Sequence, residues 1–272
     1  MRNAPIGVMD SGVGGLTVVA EIWRQLPREQ VLFYGDSLRC PYGDRPREEI
    51  AAFTFQALDF LVAQGVKMLV IACNTATAVC LEEARIRYDV PVIGVIAPGA
   101  RAAIAATMNK RIGVIGTKAT VESDSYPRAL KQTHGGLHIR SLACPHFVSL
   151  VESDRVDREQ AWPIVFESLA PLTNEGIDTL ILGCTHYPLL ASVIAEAVGS
   201  SVKLISSAEE TARDVSLWLT EHHMTRIEWQ DPAHLFYTSG SAERFGYMGE
   251  RWLGKAISVH HADVWASEEK AL

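Results

Sequence analysis

The chain has 272 residues, of which 48% are apolar and 21% charged, and a formal net charge of −7. That length can bury one large core or two of about 130 residues each, and the composition is that of a globular chain rather than a disordered one. The acidic balance argues against direct nucleic-acid binding as the main activity. No apolar run approaches the ~18 residues of a bilayer span, so no membrane partner is expected. Met1-Arg-Asn-Ala-Pro-Ile-Gly has no secretory h-region, which makes the cytoplasm the expected location.

Taken in order, strands alternate with helices, the pattern of parallel sheets covered by helices. A first strand is predicted near Pro5–Asp10, followed by the loop Ser11-Gly-Val-Gly-Gly15 and a helix to Leu26. A second strand covers Val31–Asp36. The loop Ser37–Arg45 leads to a helix over Pro46–Gln64, with proline at its start. The strand Lys67–Cys73, a helix over Ala76–Tyr88 and the strand Val90–Val95 complete a first unit. Ile96-Ala-Pro98-Gly99 reads as a crossover. Further strands are predicted at Arg111–Thr117, His138–Cys144, Asp178–Cys184 and Val202–Ser206. Helices are predicted at Val121–Gln132, Arg158–Thr173 and Pro188–Val198. The tail adds a helix over Ala208–Glu221, a strand at Leu235–Thr238, a helix at Ala242–Leu253 and a strand at Ile257–His261. Ser267–Leu272 is polar and expected to fray.

Two stretches have the same layout. Lys67-Met-Leu-Val-Ile-Ala-Cys73-Asn74-Thr75 and Asp178-Thr-Leu-Ile-Leu-Gly-Cys184-Thr185-His186 are both apolar strands ending on cysteine and two polar residues. From residue 73 to residue 184 the offset is 111 residues. The strands beginning at Ile6 and Ile112 are offset by 106 residues, and those at Val90 and Val202 by 112. Three landmarks at nearly one offset indicate a duplicated α/β unit. The expected division is a discontinuous first lobe of residues 1–96 plus 207–266 and a second lobe of residues 97–206, with a site in the cleft between them.

The five cysteines, Cys40, Cys73, Cys80, Cys144 and Cys184, are odd in number and widely spaced. They do not form a disulfide framework by pattern, and no C-x-x-C occurs. Cys144-Pro-His146 and Cys184-Thr-His186 fall short of a four-ligand zinc pattern, so no metal is expected. Gly12-Val-Gly14-Gly15-Leu-Thr17 nearly matches a dinucleotide fingerprint. It has Thr17 where a small residue belongs, and Asp10 would oppose a pyrophosphate, so the glycines read as a tight turn.

A lone Cys184 would read as an inert core residue. Two equivalent cysteines, each expected at a helix N-terminus that lowers its pKa, read differently. Across a cleft, one thiolate can remove a proton from a carbon centre while the other thiol delivers one from behind. That chemistry needs no cofactor. Asp10 suits an ammonium group. Ser11, Asn74, Thr75, Thr117 and Thr185 suit carboxylates, although Thr and Asn at a helix start are also ordinary caps.

These motifs resemble a known family. Asp10-Ser-Gly-Val-Gly-Gly-Leu-Thr17, Tyr34-Gly-Asp36, Arg39-Cys-Pro-Tyr-Gly43, Ala72-Cys-Asn-Thr-Ala-Thr77 and Leu182-Gly-Cys-Thr-His-Tyr-Pro188 resemble the signatures of the glutamate racemases across nearly the whole chain. The resemblance implies two flavodoxin-like lobes and cofactor-independent interconversion of L- and D-glutamate, supplying D-glutamate for peptidoglycan. It implies that Cys73 takes the proton from D-glutamate and Cys184 from L-glutamate, with Asp10 and His186 assisting the thiols. It implies Asp10-Ser11, Tyr42-Gly43, Asn74-Thr75 and Thr185-His186 as substrate-binding pairs, Glu152 as an acid near the cleft, and a homodimer. Ala119, His146, Ser149 and Ser206 depart from the family pattern and bear on pocket details. With Asp10 so near Met1, no N-terminal extension linked to activation is expected. A related racemase or isomerase acting on aspartate, a hydantoin or maleate, and a two-lobed binding protein without chemistry, are the alternatives.

Overall fold

The computed structural model describes residues 2–153, 157–228 and 230–265. The frayed end expected at 267–272, and residue 266 of the expected first lobe, lie outside the described residues. Among the described residues ten strands form two sheets. In the first, β1 (Ile6–Asp10), β2 (Val31–Gly35), β3 (Met68–Ile71) and β4 (Val92–Gly94) are joined by β9 (Leu235–Thr238) and β10 (Val259–His261) in the order β10-β9-β2-β1-β3-β4. In the second, β5 (Arg111–Gly116), β6 (His138–Ala143), β7 (Thr179–Gly183) and β8 (Lys203–Ser206) run β6-β5-β7-β8. Every pairing is parallel.

The order β2-β1-β3-β4 is repeated as β6-β5-β7-β8, so the duplicated pattern of the sequence corresponds to a duplicated topology. Both halves have the doubly wound, flavodoxin-like arrangement, in which ligands bind at the C-terminal ends of the strands. The strands IGVMD of β1 and TLILG of β7 are buried throughout, as expected of parallel strands covered on both faces.

Eleven α-helices are seen among the described residues: α1 (Leu16–Gln25), α2 (Arg47–Ala63), α3 (Asn74–Arg87), α4 (Ile96–Ala106), α5 (Lys118–Glu122), α6 (Ser125–Thr133), α7 (His146–Glu152), α8 (Arg158–Leu169), α9 (Ala191–Val198), α10 (Ser207–Glu221) and α11 (Ala242–Leu253). On one face of the first sheet, Ile6 and Val8 pack with Val19 and Ile22 of α1, Val215 of α10 and Phe245 of α11. On the other face, Met9 and Ile71 meet Leu58 of α2 and Cys80 of α3. The second sheet divides likewise. Ile115 and Leu182 pack with Phe147 and Val165 of α7 and α8, and Ile112 and Ile181 with Ala103 and Leu130 of α4 and α6. Among the described residues no helix is long and apolar enough to cross a membrane.

The structure differs from the sequence reading in four places. Ile96-Ala-Pro98-Gly99 is not a crossover but the first turn of α4. Pro98 is third in that helix, where a backbone N–H has no intrahelical partner to lose. A Cβ on Gly99 would lie 3.1 Å from Cβ of Ser207 and 3.3 Å from the Tyr126 hydroxyl, so the glycine permits close helix packing. The single helix expected over Val121–Gln132 is two helices, broken at Asp124, which has φ of 56°. α7 was not anticipated. Pro188 is second in a 3₁₀ turn, Tyr187–Leu190, that precedes α9.

Candidate active site

Asp10, Cys73, Thr117 and Cys184 stand at the C-terminal ends of β1, β3, β5 and β7, the two inner strands of each repeated four-strand unit. The two halves meet through these ends. Thr185 Oγ1 donates to Asp10 Oδ1 at 3.1 Å, and Tyr126 Oη donates to Asn74 Oδ1 at 2.7 Å. Thr75 Oγ1 and Thr117 Oγ1 lie 2.8 Å apart.

Cys73 is the N-cap of α3. Its Sγ accepts from the Ala76 N–H at 3.4 Å and lies 3.5 Å from Ser11 Oγ. The expectation of a thiol acidified by the helix N-terminus is corrected here. Burial pushes Cys73 up to about 12, and the charge of Asp10 adds to the rise. The hydrogen bonds with Ser11 and from the Ala76 N–H only partly oppose them. Cys184 is close enough that its charge also raises Cys73. Asp10 is fully buried and its carboxyl is raised by desolvation, while the charge of His186 and the N–H of Gly12 pull it back.

Around Cys184 a chain of groups runs outward. His186 Nδ1 lies 3.7 Å from Cys184 Sγ and 3.5 Å from Thr185 Oγ1, and its Nε2 lies 2.7 Å from Glu152 Oε1. Burial alone would lower His186, but its contacts with Cys184, Cys40 and Glu152 hold it well above the ordinary histidine value. Burial alone would raise Glu152, but the hydrogen bond and charge of His186 hold it below the ordinary carboxylate range. Both shifts favour the charged pair, with the Glu152 carboxylate at Nε2 and the Cys184 sulfur at Nδ1.

The glycine loop has a different reason from the tight turn expected of it. A Cβ on Gly14 would fall 2.5 Å from Thr185 Oγ1 and 2.6 Å from His186 Nδ1. One on Gly12 would fall 2.7 Å from Glu152 Oε1. The loop is bare so that side chains of the opposite sheet can approach it.

Each sequence-derived residue has a place in or beside this cleft. Thr117 caps α5, accepting from the Thr120 N–H at 3.3 Å. Gly43 packs on Thr117, where an added Cβ would meet the Thr117 Cβ at 2.5 Å, and its carbonyl accepts from the Ala119 N–H at 3.0 Å. Tyr42 is the exception in orientation. Its buried phenol donates to Asp36, so the hydroxyl is engaged away from the cleft. Ser206, one of the departures, caps α10 through the Ala208 N–H. His146 and Ser149 are exposed.

Three residues were missed, and Thr120, a binder by the resemblance whose loop carries the Ala119 departure, joins them. Tyr126 holds Asn74, and Thr120 Oγ1 lies 3.0 Å from Thr117 Oγ1 and 3.3 Å from Thr75 Oγ1. Asp36 collects Tyr42, Arg39 and Ser239. Cys40 brings its Sγ to 3.8 Å from Glu152 Oε1. Of the three missed, only Cys40 and Asp36 carried a signal, since both sit in conspicuous motifs. As to metals, Cys144 is buried and His146 exposed, so that pair does not converge. Cys40, Glu152 and His186 do, with donor atoms within 4.8 Å of one another.

Comparison with known proteins agrees with this geometry. Residues 6–215 match the Asp/Glu/Hydantoin racemase family. The chain is 52% identical over 270 residues to the glutamate racemase of Exiguobacterium sibiricum, covering 99% of this chain and 100% of the relative. It is 53% identical over 262 residues to that of Listeria monocytogenes, covering 96% and 98%. Among solved structures, a glutamate racemase isoform from Bacillus anthracis superposes with a TM-score of 0.94 at 48% identity, covering 97% of this chain and 98% of that one. The Francisella tularensis glutamate racemase in complex with D-glutamate superposes with a TM-score of 0.90 at 32% identity, covering 98% and 100%. With the family matched over most of its length and relatives above 50% identity across nearly all of it, the chain belongs to the Asp/Glu/hydantoin racemase family, among the glutamate racemases.

Proposed function

We propose that this chain interconverts L- and D-glutamate by a two-thiol exchange of the Cα proton, without a cofactor. The observation that carries this reading is the pair of buried cysteines at equivalent places in the repeat, one after β3 and one after β7, close enough for one to feel the other's charge. Cys73 removes the proton from D-glutamate while Cys184 delivers one to the opposite face, and the roles reverse for L-glutamate. The α-ammonium of the substrate enters beside Asp10 and supplies the positive charge that a buried thiolate needs. His186 supports Cys184 through Nδ1, and Glu152 holds the imidazole through Nε2. Thr75, Thr117, Thr185, Asn74 and Ser11, with the backbone of Tyr42-Gly43, bind the carboxylates.

The product role is supply of D-glutamate for peptidoglycan. We also propose that the chain acts in the cytoplasm as a homodimer. We also propose lobe boundaries at 96/97, in the first turn of α4, and at 206/207, where α10 begins. The deciding assay is interconversion of the two glutamate enantiomers, followed by polarimetry in the presence of EDTA and without pyridoxal phosphate. Racemisation of glutamate with deuterium entering Cα from D₂O is expected. Activity on aspartate but not glutamate, or racemisation without solvent exchange, would overturn the proposal.

A further inference from the structure

We propose that Cys40, Glu152 and His186 form a zinc-binding site through which the metal turns the racemase off. Cys40 lies in the loop after β2, Glu152 at the end of α7 and His186 after β7. Cys40 Sγ is 3.8 Å from Glu152 Oε1, His186 Nε2 is 2.7 Å from the same oxygen, and all three donors fall within 4.8 Å of one another. Sulfur, imidazole nitrogen and carboxylate oxygen are the donors zinc accepts. With Zn–S near ~2.3 Å and Zn–N or Zn–O near ~2.1 Å, donors on a tetrahedral zinc stand roughly 3.3–3.7 Å apart. The cluster meets that requirement once Nε2 and Oε1 separate by about 0.6 Å and Sγ moves toward the ring.

His186 is 1% exposed and fixed, while Cys40 and Glu152 are partly exposed and have room to adjust. A cavity of ≈ 470 Å³ lined by Cys40, Glu152, Ser149 and Arg244 reaches the two outer ligands. It provides a route for the ion and space for a water as fourth ligand. Arg244 donates to the Glu152 backbone carbonyl at 2.8 Å and opposes a cation. The thiolate and carboxylate that zinc meets exceed that charge by one.

Binding displaces the Cys40 thiol proton and the proton held between Nε2 and Glu152. Both go to solvent, and nothing is oxidised or reduced. Zinc on Nε2 then removes Glu152 from the imidazole and prevents His186 from exchanging protons with Cys184 through the ring. Cys40 touches both Glu152 and His186, so the effect of the metal is read against each protein's own metal-free rate. The inhibition rests on the proposed reaction, whereas the binding does not.

The test compares the wild type with Cys40→Ala after EDTA treatment and dialysis. Co²⁺ titration is read by absorbance, Zn²⁺ binding by calorimetry, and racemisation with and without Zn²⁺. The expected result is one ion per wild-type chain with a thiolate-to-cobalt charge-transfer band. Cys40→Ala should lose that band, bind zinc at least ~10-fold more weakly, and escape inhibition in proportion, with inhibition expressed as a fraction of each protein's own metal-free rate. A charge-transfer band of equal strength in Cys40→Ala would place the metal on Cys73 or Cys184 and overturn the site. Equal zinc inhibition of both proteins would do the same. If neither protein racemises glutamate, the proposed reaction fails, and the cobalt spectra still decide the site.

Discussion

Glu152 Oε1 lies 2.7 Å from His186 Nε2, and the other ring nitrogen of His186 lies 3.7 Å from Cys184 Sγ. A carboxylate, an imidazole and a thiol are thereby aligned from the mouth of the cleft to its interior. General acid–base groups contribute about 10²–10⁴-fold to rate. His186→Asn is expected to lower kcat within that range. Glu152→Gln, which keeps a hydrogen-bond acceptor but not the charge, should lose less. Steady-state kinetics in both directions measure this, and an unaltered kcat in His186→Asn would remove the histidine from the mechanism.

Cys73→Ala and Cys184→Ala should each abolish racemisation, since inversion needs a base on both faces. A single remaining thiol still reaches one face. Each variant is therefore expected to exchange Cα deuterium into only one enantiomer, Cys73→Ala into L-glutamate and Cys184→Ala into D-glutamate. Nuclear magnetic resonance of each enantiomer in D₂O reads this out, and exchange into both by one variant would contradict the assignment.

Gly14→Ala tests the bare loop. The added methyl would sit 2.5 Å from Thr185 Oγ1 and 2.6 Å from His186 Nδ1, a distance no side chain tolerates without displacement. Overpacking of this kind costs about 1–3 kcal/mol. At roughly 2–4 °C per kcal/mol for a chain of this size, thermal denaturation should show a visible drop in Tm. Activity should fall further than stability, because the displaced groups are those beside Cys184.

His234 predicts an acid limb in stability. Its Nδ1 accepts from Trp23 Nε1 and from the Val31 N–H, both at 3.2 Å. Burial and the nearby Lys255 push it down to about 4 from 6.5. Because the folded value is the lower one, the neutral ring's contribution is complete above pH ~6.5 and is lost as pH falls toward 4. Thermal denaturation across that interval should show wild type losing stability faster than His234→Gln. Parallel curves would show that the ring does not titrate in the fold.

The buried ion pair of Lys67 and Glu29, 2.6 Å apart, gives a stability test remote from the cleft. Lys67 Nζ also donates to the carbonyls of Arg2 and Met224. Lys67→Met leaves the Glu29 carboxylate without its cation, a loss of about 3–5 kcal/mol. Denaturant unfolding measures it, and a change under about 1 kcal/mol would mean that water replaces the ammonium.

Much of the architecture was legible in the chain because it follows from local rules. Apolar runs bounded by turn residues marked the parallel strands. The recurrence of strand, cysteine and two polar residues marked the duplication, since a repeated unit keeps its register wherever it sits. The losses were also local in cause. Pro98 and Gly99 read as a break because a proline in a first turn cannot be told from a breaker by sequence alone, and Asp124 gave no sign of its left-handed backbone.

The sequence by itself therefore determined the α/β class, the two-fold repeat and the two strand ends that carry Cys73 and Cys184. The tertiary structure alone decided what those thiols meet. Asp10 and Thr185 touch across 175 residues of chain, and Glu152 reaches His186 across 34. It also decided protonation. A helix N-terminus seen in sequence promised an acidic Cys73, whereas burial beside Asp10 pushes that thiol up to about 12. Local pattern sets which backbone a segment adopts, but charge and solvent at a group depend on the docking of two separate sheets, which no local pattern contains.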